Sequence, residues 1–331
     1  MNLLKRLSGQ GQLVSSISGP SAEGCCFLPN GDIIAVSFAG GEIRLIDITL
    51  SAVTKTLDGK VSEPGRIAVT MDGLRLAVID CARGGGGGGK KVEVWDVDSG
   101  KCILATELGH KSTSIALSPD GTILAVGRRW DTIIDLYDIS TGQLIRTLNG
   151  HGTTLVKSPL FQGSGTVQDL AFLDGRFLVS GADDGQGILW NIETGKGYVV
   201  TKHDYIVYQV CVSHSGKTLV TGGSESWLAE GRPNLFGVVE VEAEGTEIKT
   251  HLNLFGIKAK KPVKALAFTL DDMRILVAAR DDTLWLWSGK VDAKPIKHNF
   301  GKILALSQDA TKIAAESNEA LAIWDIGYLV K

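Results

Sequence analysis

No run of roughly 18 or more apolar residues occurs in the 331-residue sequence, so no consecutive hydrophobic segment has the make-up of a membrane-crossing helix. The opening MNLLKRLSGQ lacks the apolar core that a secretory leader carries. C-x-x-C pairs are missing too. Five cysteines at 25, 26, 81, 102 and 211 form an odd, scattered set that suits a reducing compartment better than a disulfide framework. A cytoplasmic location is therefore expected, with no membrane partner. Neither charge is in marked excess: 34 Lys and Arg face 37 Asp and Glu, a net of -3, which disfavours a dedicated nucleic-acid binder. Long apolar stripes of helical period are absent, whereas 41 glycines mark many turns. What remains is a strand-and-turn chain with 44% apolar residues for a core.

That chain repeats itself. Residues 113–151 and 166–196 share one order: apolar strand, turn, apolar strand, Asp-containing turn, a strand ending in an aromatic, and a Gly turn. The aromatic position recurs as Ile46, Trp95, Tyr137, Trp190, Val241, Trp287 and Trp324. In the first strand of each unit one position reads Cys26, Ala68, Ala116, Ala171, Cys211, Ala267 and Ala305, all small. A site restricted to Ala or Cys is one where packed sheets approach closely around an axis. The second strands carry Ile34, Leu76, Leu124, Leu178, Leu219, Leu276 and Ile313, each followed by Ala or Val. The expected fold is all-β: a seven-bladed β-propeller of four-stranded antiparallel blades, forming one domain over 1–331. Few residues follow Trp324, while residues 3–10 align with 144–151, so residues 3–8 are expected to supply the outer strand of the last blade and close the ring.

With Trp95-Asp96 and Trp324-Asp325, and the near variants Tyr137-Asp138 and Trp190-Asn191, the chain resembles the WD-repeat family over essentially its whole length. The phrases LSPDGTILAVG and DISTGQLIRTLNGH resemble bacterial WD repeats. The resemblance implies a noncatalytic protein-interaction scaffold, alone or within a larger complex, with no cofactor.

Several motifs look like chemistry. Gly84 to Lys90 matches G-x-x-x-x-G-K, but Lys91 stands where a Ser or Thr would hold a metal, and VEVWD alternates as a strand where a P-loop needs a helix. An elongated turn is the competing reading. His151, Ser180 and Asp184 invite a Ser-His-Asp reading, yet no G-x-S-x-G elbow is present. The family resemblance implies instead that His151, Ser180, Asp184 and Trp190 form a buried hydrogen-bond chain between strands, with Asp131 and Asp281 at positions equivalent to Asp184. No H-E-x-x-H or Cys/His cluster suggests a metal site. Inner strands offer Arg66, Ser114, Asp169, Gln209, Lys264 and Lys302, one acid among three bases, which keeps a small-anion site or a propeller enzyme in the central channel as an alternative.

Four antiparallel strands per blade bring the turns between strands two and three, and the connections to the next blade, to one end of the ring. The long insertions all fall there, carrying Arg128, Arg129, Trp130, Lys157, Phe161, Trp227, Arg232, Phe236, Lys258, Lys260 and Lys261. Trp and Arg are the residues most enriched at interface hot spots, so this face is the expected partner site and a protein with an acidic surface the expected partner. Two other readings stand beside it: Trp227 and Phe236 fold their insertion onto its own blade, or the basic loops contact nucleic acid.

Overall fold

The computed structural model describes residues 12–18, 22–38, 40–61, 64–80, 89–152, 165–224, 234–244, 247–257, 263–279, 283–289, 294–296, 300, 302–317 and 320–327. Every regular element among them is a β-strand, and no helix there is long and apolar enough to cross a membrane. Short strands rich in Val, Ile and Leu are separated by turns that the sequence caps locally. The Asp or Asn that ends the third strand of four units does this: the Oδ1 atoms of Asp47, Asp96, Asp138 and Asn191 accept the backbone N–H of Leu50, Ser99, Thr141 and Thr194, respectively. Such side-chain caps reproduce a backbone turn and stop the strand. Between the first and second strands, the hydroxyls of Thr70, Ser118, Thr269 and Ser307 bond Asp72, Asp120, Asp271 and Asp309 in the same way.

The strands form five four-stranded sheets and one of seven strands, all antiparallel. Four of the four-stranded sheets run outward in chain order from the first strand, as in Ala22–Phe27, Ile33–Phe38, Glu42–Asp47 and Ala52–Asp58; the remaining one begins Lys302–Leu306, Lys312–Ser317, Ala320–Asp325 and takes its outer strand from the N-terminal Gln12–Ser18. The seven-stranded sheet consists of two such units joined by one long strand, Cys102–Leu117, which is outermost in one and innermost in the other; the two units are numbered below as the second and third sheets, the sheet beginning at Ala22–Phe27 being the first and those beginning at Val167–Phe172, Ile206–Val212, Val263–Phe268 and Lys302–Leu306 the fourth to the last. First strands lie beside one another in chain order: Ala22–Phe27, Pro64–Val69, the end of Cys102–Leu117, Val167–Phe172, Ile206–Val212, Val263–Phe268 and Lys302–Leu306. The last of these touches the first again. Together they line a cavity of about 840 Å³.

Cys26, Ala68, Ala116, Ala171, Cys211, Ala267 and Ala305 all line that cavity. Each also joins a different apolar cluster between its own sheet and the next. Adjacent Cys25 and Cys26 pack into different clusters, and both are free thiols. Burial pushes the thiols of Cys25 and Cys211 up to about 12, which keeps them protonated.

Three expectations about register are corrected. In the fifth sheet the partner of Leu219 is Val239, not Val241, because the hairpin Asn234–Glu244 with Glu247–Ile257 is longer than its counterparts and shifts the count by two. In the sixth, Ala267 pairs with Leu276, the place taken by Ala77 opposite Ala68, so Ile275 and not Leu276 faces Trp287. The N-terminal strand beside Ala320–Asp325 is Gln12–Ser18, not residues 3–8. Lys312–Ser317 takes the other edge, leaving no place for a third neighbour. Val14 and Ile17 pack against the cluster between the last and first sheets, and this burial selects the strand. Residues 3–8 lie outside the described residues.

Removing residues 1–9 should therefore leave the melting temperature near that of the full chain, whereas removing 1–18 should lower it by several degrees through loss of a sheet edge. Differential scanning calorimetry of the two truncations separates these outcomes.

Candidate functional site

In the fourth sheet the four residues suspected of chemistry are brought together. Trp190 Nε1 donates to Ser180 Oγ at 2.8 Å, Ser180 Oγ lies 2.7 Å from His151 Nε2, and His151 Nδ1 lies 3.0 Å from Asp184 Oδ2. A carboxylate only accepts, so a neutral His151 carries its proton on Nδ1 and takes the Ser180 hydroxyl proton at Nε2. Asp184 also accepts the N–H of Gly152 and of Gln186, tying the turn after the second strand to the connection before the first. The order of bonds is that of a nucleophilic triad. Yet Ser180 has no exposed surface and its oxygen already accepts the indole N–H, so no substrate reaches it. Elsewhere the chain is incomplete. At the Ser180 register the second sheet has Val78 and the last Ala315, and the buried Nε1 of Trp95 and of Trp324 find no acceptor among the described residues. The fifth sheet keeps a fragment, His203 Nε2 to Thr221 Oγ1 at 2.8 Å, and burial lowers His203 to about 4 so that it stays neutral.

The third sheet solves the same problem with different residues. Asp131, expected as the counterpart of Asp184, is half exposed and stands 3.7 Å from Arg128. The buried acid is Asp135, two residues before Tyr137, bonded by His110 Nε2 at 2.7 Å, Arg128 Nε at 2.8 Å, Arg128 Nη2 at 3.1 Å and Thr147 Oγ1 at 2.8 Å. Burial alone would raise the Asp135 carboxyl, but the bonds from His110, Arg128 and Thr147 bring it down to about 2. The signal was present in the sequence: an acid inside IIDLYD, where a strand otherwise carries apolar residues. Arg128 is consequently engaged in the fold.

These repeated polar chains and sheets match a known family model, described as WD domain, G-beta repeat, over residues 100–138 and 142–191. Those residues are WD repeats. The chain is 25% identical to Autophagy-related protein 16 of Arabidopsis thaliana over 76% of this chain and 45% of that protein. To GID complex subunit 7 of Schizosaccharomyces pombe it is 26% identical over 54% of this chain and 33% of that protein. The chain thus spans less than half the length of these curated relatives. Among solved structures, the Cps50 (Swd1) beta-propeller domain of Myceliophteria thermophila superposes with a TM-score of 0.74 at 14% identity, covering 96% of this chain and 99% of that one. That likeness shows a propeller fold.

On this WD-repeat scaffold, residues 128–132 form a tight turn with two left-handed non-glycine residues, Trp130 (φ 73) and Thr132 (φ 55). A bulky or β-branched side chain there costs about 1 kcal/mol or more and persists only when the surroundings enforce it. They do. Arg129 N donates to Lys111 O, Thr132 Oγ1 to His151 O, and Asp131 forms a bridge to Gly165, where a Cβ would collide with Thr132. The turn and the connection into the fourth sheet therefore share one end of the propeller. Trp130 remains 44% exposed, with the Arg129 guanidinium 4.8 Å and Lys111 Nζ 5.3 Å from its ring centroid.

Phe236, expected in the same surface, is fully buried in the fifth sheet among Val220, Val238 and Ile257, because its strand begins earlier than the spacing suggested. Lys157, Phe161, Trp227, Arg232, Lys258, Lys260, Lys261 and Asp281 lie outside the described residues. Of the glycine run only Gly89 is described, and Gly89–Asp96 is a strand, so no helix follows the lysines. Around the cavity, Arg66 Nη1 reaches Asp169 Oδ1 at 2.8 Å across two sheets, and Asp169 Oδ2 accepts Val210 N. Ser114 donates to Val167 O, and Gln209 to its neighbour Tyr208 O. Desolvation raises the Asp169 carboxyl, opposed by the Arg66 charge.

Two predictions follow from this geometry. Ser180→Ala strands the indole of Trp190 and the ring of His151, and should cost about 1–3 kcal/mol in urea unfolding. Desolvation also raises Asp183, buried beside Gln168 and Thr166, from an ordinary 3.8 to about 6. Between pH 3.8 and 6 the folded protein keeps a proton that the unfolded chain has released, so stability falls as pH rises through this window, by roughly 3 kcal/mol at most. Asp183→Asn removes that slope: its melting temperature relative to wild type should climb between pH 4 and pH 7 and then level off.

Proposed function

We propose that the chain is a noncatalytic protein-interaction scaffold, a cytoplasmic subunit of a larger assembly that binds a partner through the loop-bearing end of one propeller domain spanning 1–331. The count is seven blades, with Gln12–Ser18 completing the last; the unbroken succession of first strands, returning from Lys302–Leu306 to Ala22–Phe27, supports this reading. One observation carries the functional proposal: the side chains best suited to chemistry are occupied in holding sheets together. Ser180, His151 and Asp184 are buried in a closed bond chain, and Asp135 is saturated by four bonds from three residues. What such a fold offers outward is shape, and loops held by sheets are where binding residues concentrate. That one relative is by name a complex subunit agrees with this. An anion site in the channel has less support, since Arg66 is already paired with Asp169.

Affinity capture from cell extract tests the face. The double variant Arg129→Glu, Trp130→Ala should lose partners that wild type retains. Leu270→Ser with Met273→Ser, two exposed residues in the turn between Val263–Phe268 and Ile275–Ala279 at the other end, should keep them. The reverse pattern would put the interface on the other end.

A further inference from the structure

The geometry points to a binding site for a monovalent alkali cation, sodium or potassium, at the seam between the first and second sheets, where the Glu93 carboxylate meets backbone carbonyls of Gly41, Gly59 and Val61. The site does not depend on the scaffold reading. Its starting point is a buried acid with too few partners. Glu93 stands two residues before Trp95 and opposite Val78, the place held in the third sheet by Asp135, two before Tyr137 and opposite Val126. Asp135 receives bonds from His110, Arg128 and Thr147. Glu93 is only 4% exposed, yet Lys60 N donates to its Oε1 at 2.7 Å and the buried Oε2 has no partner among the described residues. A carboxylate so far from water is costly unless positive charge meets it.

The sequence explains the shortfall. The segments entering the second, third and fourth sheets read Gly59-Lys60, Gly109-His110 and Gly150-His151, and the two histidines reach inward to bond Asp135 and Ser180. Lys60 is exposed instead. Across the strand pair, Ala105 lies opposite Glu93 where Thr147 lies opposite Asp135. Two residues beyond Val78 stands Asp80, an acid at the position that Arg128 takes beyond Val126. None of the three donor residues of the third sheet has a counterpart here.

Backbone oxygens surround the acid in their stead. Gly41, in the turn before Glu42–Asp47, and Gly59, just after Ala52–Asp58, pass so close that neither admits a side chain. A methyl group on Gly59 would stand 2.6 Å from Gly41 O and 2.8 Å from Glu93 Oε2. One on Gly41 would stand 2.6 Å from Gly59 O and 2.7 Å from Val61 O. Gly41 O and Glu93 Oε2 therefore converge, and both are acceptors, so neither can donate to the other. A cation between them relieves that repulsion, and carbonyl oxygens are able to replace the hydration shell of an alkali ion. The charge of the ion follows from the donor set. One carboxylate supplies one negative charge, whereas calcium sites draw on several acids, and no three Asp, Glu, His or Cys side chains form a metal group among the described residues. The bound ion ties the turn of the first sheet, the segment 59–61 and the strand Gly89–Asp96 together, the task that His110 and His151 perform in the next two sheets.

Melting curves test the site, with potassium or sodium chloride replacing choline chloride at constant ionic strength, since choline is too large to sit between the two oxygens. The wild-type melting temperature should rise by several degrees and level off as either alkali cation is added, because an ion held only by the folded state stabilises it. Glu93→Gln keeps the shape and removes the charge, so its melting temperature should be the same in all three salts. A wild-type protein indifferent to the cation, or a Glu93→Gln variant that responds as wild type does, would overturn the site. A response to calcium chloride and to neither alkali salt would overturn the monovalent assignment. If Glu93→Gln does not fold, wild-type crystals soaked in thallium(I) acetate decide the matter. An anomalous peak bonded to Glu93 Oε2 and Gly41 O supports the site, and a map without that peak refutes it.

Discussion

At the positions of Ala68, Ala116, Ala171, Ala267 and Ala305, a side chain much larger than a methyl or thiol group would force neighbouring sheets apart around the cavity. The remaining two places are filled by Cys26 and Cys211, whose compact sulfurs meet the same limit. Close approach there brings each sheet against the next, and the largest apolar clusters occupy those contacts. Trp190, for example, packs between the third and fourth sheets together with Leu148, Val167 and Leu178. The burial of aromatics, the shared cavity and the placing of loops at the ends of the sheets all depend on this one spacing.

Polar groups inside such a stack must find partners, and the repeats do so unequally. In the fourth sheet the indole, hydroxyl, imidazole and carboxylate close one chain, while in the third an arginine pairs with a buried aspartate to which a histidine is also hydrogen-bonded. Both arrangements fasten the end of a sheet to the segment that enters it. The turn carrying Trp130 lies between them, bonded to His151 O on one side and resting on Arg128 on the other. Its conformation is a product of the two networks and not of its own sequence preferences.

Much of this was legible before any coordinates. The small-residue column, the aromatic column and the four residues of the fourth sheet's bond chain can be read from the repeats, because each reflects a packing rule applied again and again. Errors arose where one unit departs from its siblings. The long hairpin of the fifth sheet moved Val241 out of the aromatic column and hid Phe236 in the core. Asp135 was missed because the expected acid was sought at a fixed distance from Tyr137, whereas burial and donor supply chose another position. The N-terminal strand was set by the burial of Val14 and Ile17, a tertiary preference that matching Leu and Gly columns could not reveal. Features of Trp130 that depend on φ and on the Asp131 bridge to Gly165 have no sequence signature.

The strand Cys102–Leu117 carries a mechanical implication. Among the described residues no other pair of units shares a strand, but here an unbroken backbone ladder runs from the edge of one unit to the centre of the next. Fraying at that edge would tug on hydrogen bonds beside the cavity, so the two units should open as a single cooperative block with slow amide exchange through residues such as Ser112 and Ser114. The chain thus has a stiff sector comprising its second and third sheets, and the exposed tryptophan stands at the seam of that sector.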